Sequence, residues 1–170
     1  MKTNFQKVEV ERFSVVTARP FGEVVDRLAA RVGHPDMVAF NRDMATAKTS
    51  ADLKQVVFKA VGSHGMMEFI RFNMGEVLRM EQGDKAPRIQ RFVIGNPLIM
   101  KEMAKHVPDA ASYAPVTILI AEYPDGVHLS YDRMASYLAP YKNAQALKVA
   151  TDLDNKIETL LLQVAESSEV

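Results

Sequence analysis

Apolar residues along this chain switch repeatedly between a period of two and a helical period, and the switches outline the fold. Val8 and Val10, then Phe13 and Val15, alternate with polar neighbours. The phase slips at Arg12-Phe13, which predicts one strand bulged or bent near Arg12. Pro20 suits the first turn of a helix, where its missing N–H costs nothing. Phe21, Val24, Val25, Leu28 and Val32 then recur at helical spacing, and Gly33 can take the left-handed conformation that ends the helix. From 34 to 49 the pattern fades, and Pro35-Asp36, Asn41 and Asp43 favour turns. A loop is expected there, with one helical turn around 37–40, either covering a cleft or simply connecting. Ser50 is the expected N-cap of the next helix, with Asp52 in its first turn and Leu53, Val56, Val57, Ala60 and Val61 on one face. Gly62 ends it.

Gly65 opens two predicted strands, 66–72 and 76–80, joined as a hairpin at Asn73-Met74-Gly75. After the turn Gly83-Asp84-Lys85-Ala86-Pro87, the stretch 89–94 places Ile89, Arg91 and Val93 on one side and Gln90, Phe92 and Ile94 on the other. A strand inside the sheet is expected. Asn96 can cap a following helix with Pro97 in its first position, ending near Val107-Pro108. The run 116–121 is continuously apolar, which fits burial on both faces or a dimer edge. Pro124-Asp125-Gly126 turns the chain into a return strand in which Val127, Leu129 and Tyr131 alternate with His128, Ser130 and Asp132. A loop over 136–141, interrupted by Pro140, leads to the last helix, 143–165, striped by Leu147, Ala150, Leu153, Ile157, Leu160, Leu161 and Val164. Residues 166–170 read as a frayed tail.

These elements predict an α/β (α+β) two-layer domain over 1–165, a mixed or antiparallel sheet of about six strands with helices on one face. The other face then needs water, a ligand or a second copy. Phe69, Phe92 and Ile118 would make it too apolar for water, so a homodimer is expected.

Charge and composition narrow the functions. Lys+Arg 21 against Asp+Glu 21 gives a formal net charge of +0, without the basic stripe a nucleic-acid binder uses on phosphates. The same balance gives no bulk attraction to anionic membranes and little repulsion between copies. The chain has no cysteine, which excludes disulfides, thiolate nucleophiles and Cys-based metal sites. Met1-Lys2-Thr3-Asn4 leads into charged alternation, and no segment approaches the roughly 20 apolar residues that span a bilayer. A cytoplasmic location is expected, although a chain whose leader had been removed would read the same.

Candidate chemistry clusters at strand ends. Free N–H groups after Asn96 can bind a phosphate, sulfate or carboxylate, or Asn96 can simply cap its own helix. Neither the Walker spacing nor the dinucleotide fingerprint occurs. Tyr131-Asp132-Arg133 can orient a polar ligand, with Arg133 or Arg71 holding an anion, or Asp132 can pair with an arginine to hold the final loop. His34, His64, His106 and His128 show no metal-ligand spacing, so neither a metal nor a haem is expected, even though His64 lies near Met67. The 10 methionines either line an adaptable pocket or fill an irregular core. Ser63 beside His64 does not make a nucleophile and base, and no nucleophile elbow is present.

Taken in order, Gly95-Asn96-Pro97-Leu98-Ile99-Met100, Pro108-Asp109-Ala110-Ala111, Pro115 and Tyr131-Asp132-Arg133 resemble the bacterial and archaeal family called domain of unknown function 302. Its short form matches roughly 73–133. The resemblance implies a compact TATA-binding-protein-like α/β arrangement and association as dimers, and it implies no reaction. Where the family often carries Asp-His-Gly, this chain has Asn73-Met74-Gly75.

The leading expectation is a non-catalytic domain binding a small anionic or amphipathic ligand as a homodimer, without a cofactor. Its expected ligand residues are Asn96, Arg71, Asn73, Tyr131, Asp132, Arg133 and His64. The alternatives are a small acid–base hydrolase using Asp132, Asp109 and His64, and a structural protein–protein adaptor.

Overall fold

The computed structural model describes residues 1–166; the expected tail at 166–170 lies outside them from Ser167 onward. Five strands form one antiparallel sheet: β1 (Arg12–Thr17), β2 (Met67–Asn73), β3 (Ile89–Gly95), β4 (Val116–Tyr123) and β5 (Gly126–Asp132), in the order β1-β5-β4-β3-β2. Seven helices accompany them: α1 (Phe21–Ala29), α2 (Met37–Thr46), α3 (Ser50–Ala60), α4 (Gly75–Gln82), α5 (Pro97–Ala104), α6 (Met134–Leu138) and α7 (Ala144–Ala165). Among the described residues no helix is long and apolar enough to cross a membrane.

Register sorts the side chains into two faces. Phe92 pairs with Ile118, Ile118 with Tyr131, and Tyr131 with Phe13, so this row lies on one side of four strands. The row Gln90, Ile120, Leu129 and Val15 lies beside it. On this side α1, α5, α6 and α7 close the core with Val24, Leu28, Met103, Met134, Leu138, Ile157 and Leu160, all buried. The continuous apolar run of β4 is explained by its central place. Val116, Ile118 and Ile120 enter the core, while Leu119 and Ala121 sit on the opposite face. Helices α2 and α3 build a separate small cluster at the end of β2, where Phe40, Val57 and Ala60 meet Met67.

Several segments differ from expectation. Residues 8–10 lie outside β1, which begins at Arg12 and pairs with β5 without a bulge. The expected loop at 136–141 continues α6 to Leu138 and then a 3₁₀ turn, Ala139–Tyr141. Phe92 and Ile118, expected on the uncovered face, are placed by register in the core. Residues 76–80 are helical, in α4, so the sheet has five strands where about six were expected. Glu, Leu, Arg, Met and Gln are good helix formers, and the Asn73 amide donates to Glu76 at 2.9 Å, stopping the strand. The loop at 34–49 holds all of α2, capped by Asp36, whose carboxylate accepts from the N–H groups of Val38 and Ala39. The cap of α3 is Thr49, in a capping box with Asp52, one residue before the expected Ser50. Gly33 also has a different role: it does not take the left-handed conformation. A Cβ there would lie 1.8 Å from the Ala60 carbonyl oxygen, so the absent side chain lets two backbones pass.

One polar group sits inside the apolar stripe of α7. Asp154 is fully buried and accepts from the Tyr131 hydroxyl at 2.7 Å and from the N–H groups of Met134 at 2.7 Å and Ala135 at 3.1 Å. Burial, and then the neighbouring Asp154 charge, push the Tyr131 phenol well above its ordinary range. The far end of α7 is held by Thr17, which donates to the Ala165 carbonyl, and by Arg27, which donates to the carbonyls of Val164 and Gln163. Replacing Asp154 by Ala removes the acceptor of a buried hydroxyl and of the Ala135 N–H, and leaves the Met134 N–H with the Tyr131 hydroxyl alone. The expected loss is about 3–5 kcal/mol in denaturant unfolding, and Asp154→Asn, which keeps an acceptor, is expected to lose less.

Candidate functional site

The sheet face opposite the core carries Arg12, Leu119, Ser130, Asp132 and Arg91 on four neighbouring strands. At the end where β1 begins and β5 finishes, this face is hollowed into a cleft of about 470 Å³. Thr117, Leu119 and Ser130 contribute to its floor, and Arg12, Asp132, Arg91, Tyr113 and Tyr137 stand around it. Tyr113, in the turn after the 3₁₀ segment Pro108–Ser112, stacks on Tyr137 of α6 with ring centroids 4.8 Å apart and planes 13° from parallel. Tyr137 reaches this position because Met134, Ser136 and Leu138 point α6 into the core and turn the intervening residue outward.

The charges are unequally matched. Arg12 forks onto Asp132, Nε to Oδ1 at 2.6 Å and Nη2 to Oδ2 at 2.9 Å. The Arg12 guanidinium, helped by the Tyr137 hydroxyl, holds the Asp132 carboxyl below the usual carboxylate range. Burial, and then the Asp132 charge, push the Tyr137 phenol upward. Arg71 pairs with Glu68 at 2.7 Å and Arg88 with Glu122 at 2.5 Å. Arg91 is different. Its Nη2 donates to the Thr117 hydroxyl at 3.2 Å and its guanidinium lies 5.9 Å from the Phe72 ring, but no carboxylate among the described residues pairs with it. Arg91 therefore leaves the cleft with one uncompensated positive charge.

The expected ligand residues fall in several places. Asp132 and Tyr131 both line the cleft, Tyr131 with its hydroxyl committed to Asp154 on the core side. The arginine that holds Asp132 is Arg12. Arg133 turns away to Glu11 at 2.7 Å, and its buried Nε lies 3.0 Å from Glu158 Oε1 without the alignment of a hydrogen bond. Asn96 caps α5 by accepting from Leu98 N–H and donates to the Gly65 carbonyl, each at 2.9 Å, so its side chain is committed. Arg71 lies on the core side of β2, 4.2 Å over the Phe92 ring. Asn73 is at the opposite end of the sheet, paired across from Gln90. His64 meets Gln163 at 2.6 Å near the end of α7. Among the described residues no hydrogen bond joins any two of Asp109, Asp132 and His64, and no group of three or more His, Cys, Asp or Glu side chains is arranged to hold a metal ion.

Sequence reasoning missed Arg91, Arg12, Tyr113 and Tyr137 as site residues. Arg91 did carry a signal, as a lone charge between Ile89 and Val93 on one side of an interior strand. The tyrosine pair carried none, being 24 positions apart with no shared element.

Comparison with known proteins agrees with this architecture. The family model for the domain of unknown function DUF302 matches residues 42–164, and the chain belongs to that family. A solved structure similar to it is the crystal structure of an uncharacterized conserved DUF302 protein from Bacillus stearothermophilus. It matches with a TM-score of 0.61 at 10% identity, over 91% of this chain and 98% of that one. No curated protein matches the chain.

The Arg12–Asp132 pair makes a pH-dependent contribution whose sign follows from the lowered carboxyl. That contribution is complete above the ordinary carboxylate value of about 3.9 and disappears as pH falls through the lowered one. Both partners are partly exposed, with side chains 64% and 31% accessible, so its size is no more than about 1 kcal/mol. Wild type and Asp132→Asn are expected to differ by this amount in urea unfolding at pH 7 and to converge as the pH is taken below the ordinary carboxylate value and the lowered Asp132 carboxyl takes up its proton.

Proposed function

We propose that the open-face cleft binds a small anion and that this chain is a ligand-binding domain rather than a catalytic one. The observation that carries the reading is Arg91, a guanidinium with no carboxylate partner, in a cleft that also offers the hydroxyls of Thr117 and Ser130. A guanidinium, adjacent hydroxyls and an aromatic wall are the groups that recognise a carboxylate or phosphate on a small molecule. Among the described residues Asp109, Asp132 and His64 share no hydrogen bond, which favours the ligand-binding reading over the acid–base hydrolase one.

A second reading, pairing of two copies through the same sheet face, draws support from its apolar exposure. Val16 is 48% exposed, Ile70 46%, Phe72 39% and Tyr123 54%. A formal net charge of +0 leaves copies little reason to repel.

Calorimetric titration with acetate, inorganic phosphate and citrate tests the first reading. Arg91→Gln is expected to weaken binding by about tenfold or more. Asp132→Asn frees the Arg12 charge and is expected to strengthen it. Absence of binding by all three anions, or indifference to Arg91→Gln, would refute the site. Sedimentation velocity tests the second reading: wild type is expected as a dimer and Phe72→Lys as a monomer. A wild-type monomer at high protein concentration would contradict it.

A further inference from the structure

Beside the charged cleft lies a smaller hollow of about 140 Å³, lined by Phe69, Asn96, Pro97, Met100, Ala114 and Pro115. Its exposed lining is apolar, because the Asn96 amide is already committed to Leu98 and Gly65. The two spaces share a wall. Pro115 faces both, and the next positions before it divide between them, Ala114 to the hollow and Tyr113 to the cleft.

Gly95 sets how closely the wall of the hollow packs on the sheet. It has the same parity on β3 as Arg91 and Val93 and so lies on the open side. A Cβ at that position would come within 3.1 Å of Pro115 Cβ and 3.4 Å of the Phe69 ring. The absent side chain lets Pro115 and Phe69 pack directly against the β3 backbone, where they form the wall of the hollow. Four residues along an antiparallel strand cover about 13 Å, so Arg91 and Gly95 are separated by about that distance on one face.

Resting on the anion-binding reading above, we propose that the ligand is an elongated amphipathic anion of the fatty-carboxylate class. Its carboxylate sits on Arg91 beside Thr117. Its acyl chain passes over Pro115, which lines both spaces, and ends against Phe69, Pro97 and Met100. A compact polyanion would use only the cleft. The Arg12–Asp132 pair limits the cleft to one net positive charge, which matches a single carboxylate better than a multiply charged head. Met100, half-buried and flexible, is suited to pack on an acyl end.

Butyrate and decanoate carry the same charge and differ only in apolar length, so comparing them separates the two claims. Each methylene buried is worth about fourfold in affinity, so decanoate is expected to bind more than about tenfold tighter than butyrate, with one molecule per chain. Arg91→Gln is expected to weaken both. Met100→Glu is expected to abolish the advantage of decanoate over butyrate. In unmutated protein labelled at the methionine methyl carbons, the Met100 resonance should shift with decanoate and stay in place with butyrate. Equal affinities, both reduced by Arg91→Gln, would overturn the amphipathic assignment and leave the anion site standing. An unmoved Met100 methyl at saturating decanoate would overturn it independently of any variant. Failure of both ligands to bind would overturn the assignment and the anion site together.

Discussion

A carboxylate buried in the middle of the longest helix ties the core to the open face. Asp154 lies in the same stripe as Ala150, Leu153, Ile157, Leu160 and Leu161, where an apolar residue would be expected. Burying a charge there is costly unless its lone pairs are filled. They are filled from two other elements, by the Tyr131 hydroxyl of β5 and by the N–H groups of Met134 and Ala135 at the start of α6. Hydrocarbon alone would let α7 slide or rotate by small amounts over the sheet. These directional bonds, with Thr17 and Arg27 gripping the far end, leave it one position. The consequence crosses the sheet. Fixing the first turn of α6 also fixes Tyr137 three residues later, and Tyr137 is half of the aromatic wall of the cleft.

Much of this fold is legible from residue order. The strand 89–94, the Asn96-Pro97 cap, the hairpin around Pro124-Asp125-Gly126 and the long last helix all occur where periodicity places them, because each combines a clear period with a stop signal. The failures have a common cause. In 76–80 the apolar residues Val77, Leu78 and Met80 have no clear period, and local helix preference decides. In 37–46 the helix buries only Phe40, so its apolar pattern is too thin to recognise, although Asp36 supplies a good cap. Gly33 looked like a helix terminator because that is the common use of glycine. The structure uses it for a close approach to the chain around Ala60, a contact between segments 27 residues apart that local pattern cannot reveal.

The site was less legible for the same reason, carried further. Asp132 was recognisable as a polar strand end, but its partner Arg12 is 120 positions away and meets it only through the β1–β5 register. Asn96 has the right chemistry for an anion at a helix start. Its side chain is nevertheless consumed by the helix it caps and by Gly65, the duller of its two expected roles. Arg71 and Arg133 were attractive as free guanidiniums, yet folding brings carboxylates alongside both, Glu68 for one and Glu11, Asp154 and Glu158 for the other. A sequence shows which residues are charged. Which of them remain uncompensated depends on the register of every strand at once.

That distinction bears on what a balanced composition excludes. Equal numbers of acidic and basic residues remove the long-range field that steers polyanions. A small monoanion needs no long-range field. At contact distance, beside a surface screened from bulk water on one side, a single guanidinium contributes more than the averaged charge of the whole chain, because screening over about 8 Å cancels the distant groups first. Arg12, Arg71 and Arg88 each reach a carboxylate, and Arg91 reaches only a threonine hydroxyl and a phenylalanine ring. Neutrality over the whole chain therefore coexists with a local excess of one charge. The excess lies on the sheet face opposite the core, next to an apolar hollow, and that juxtaposition supports the proposed ligand with one charge and one apolar end.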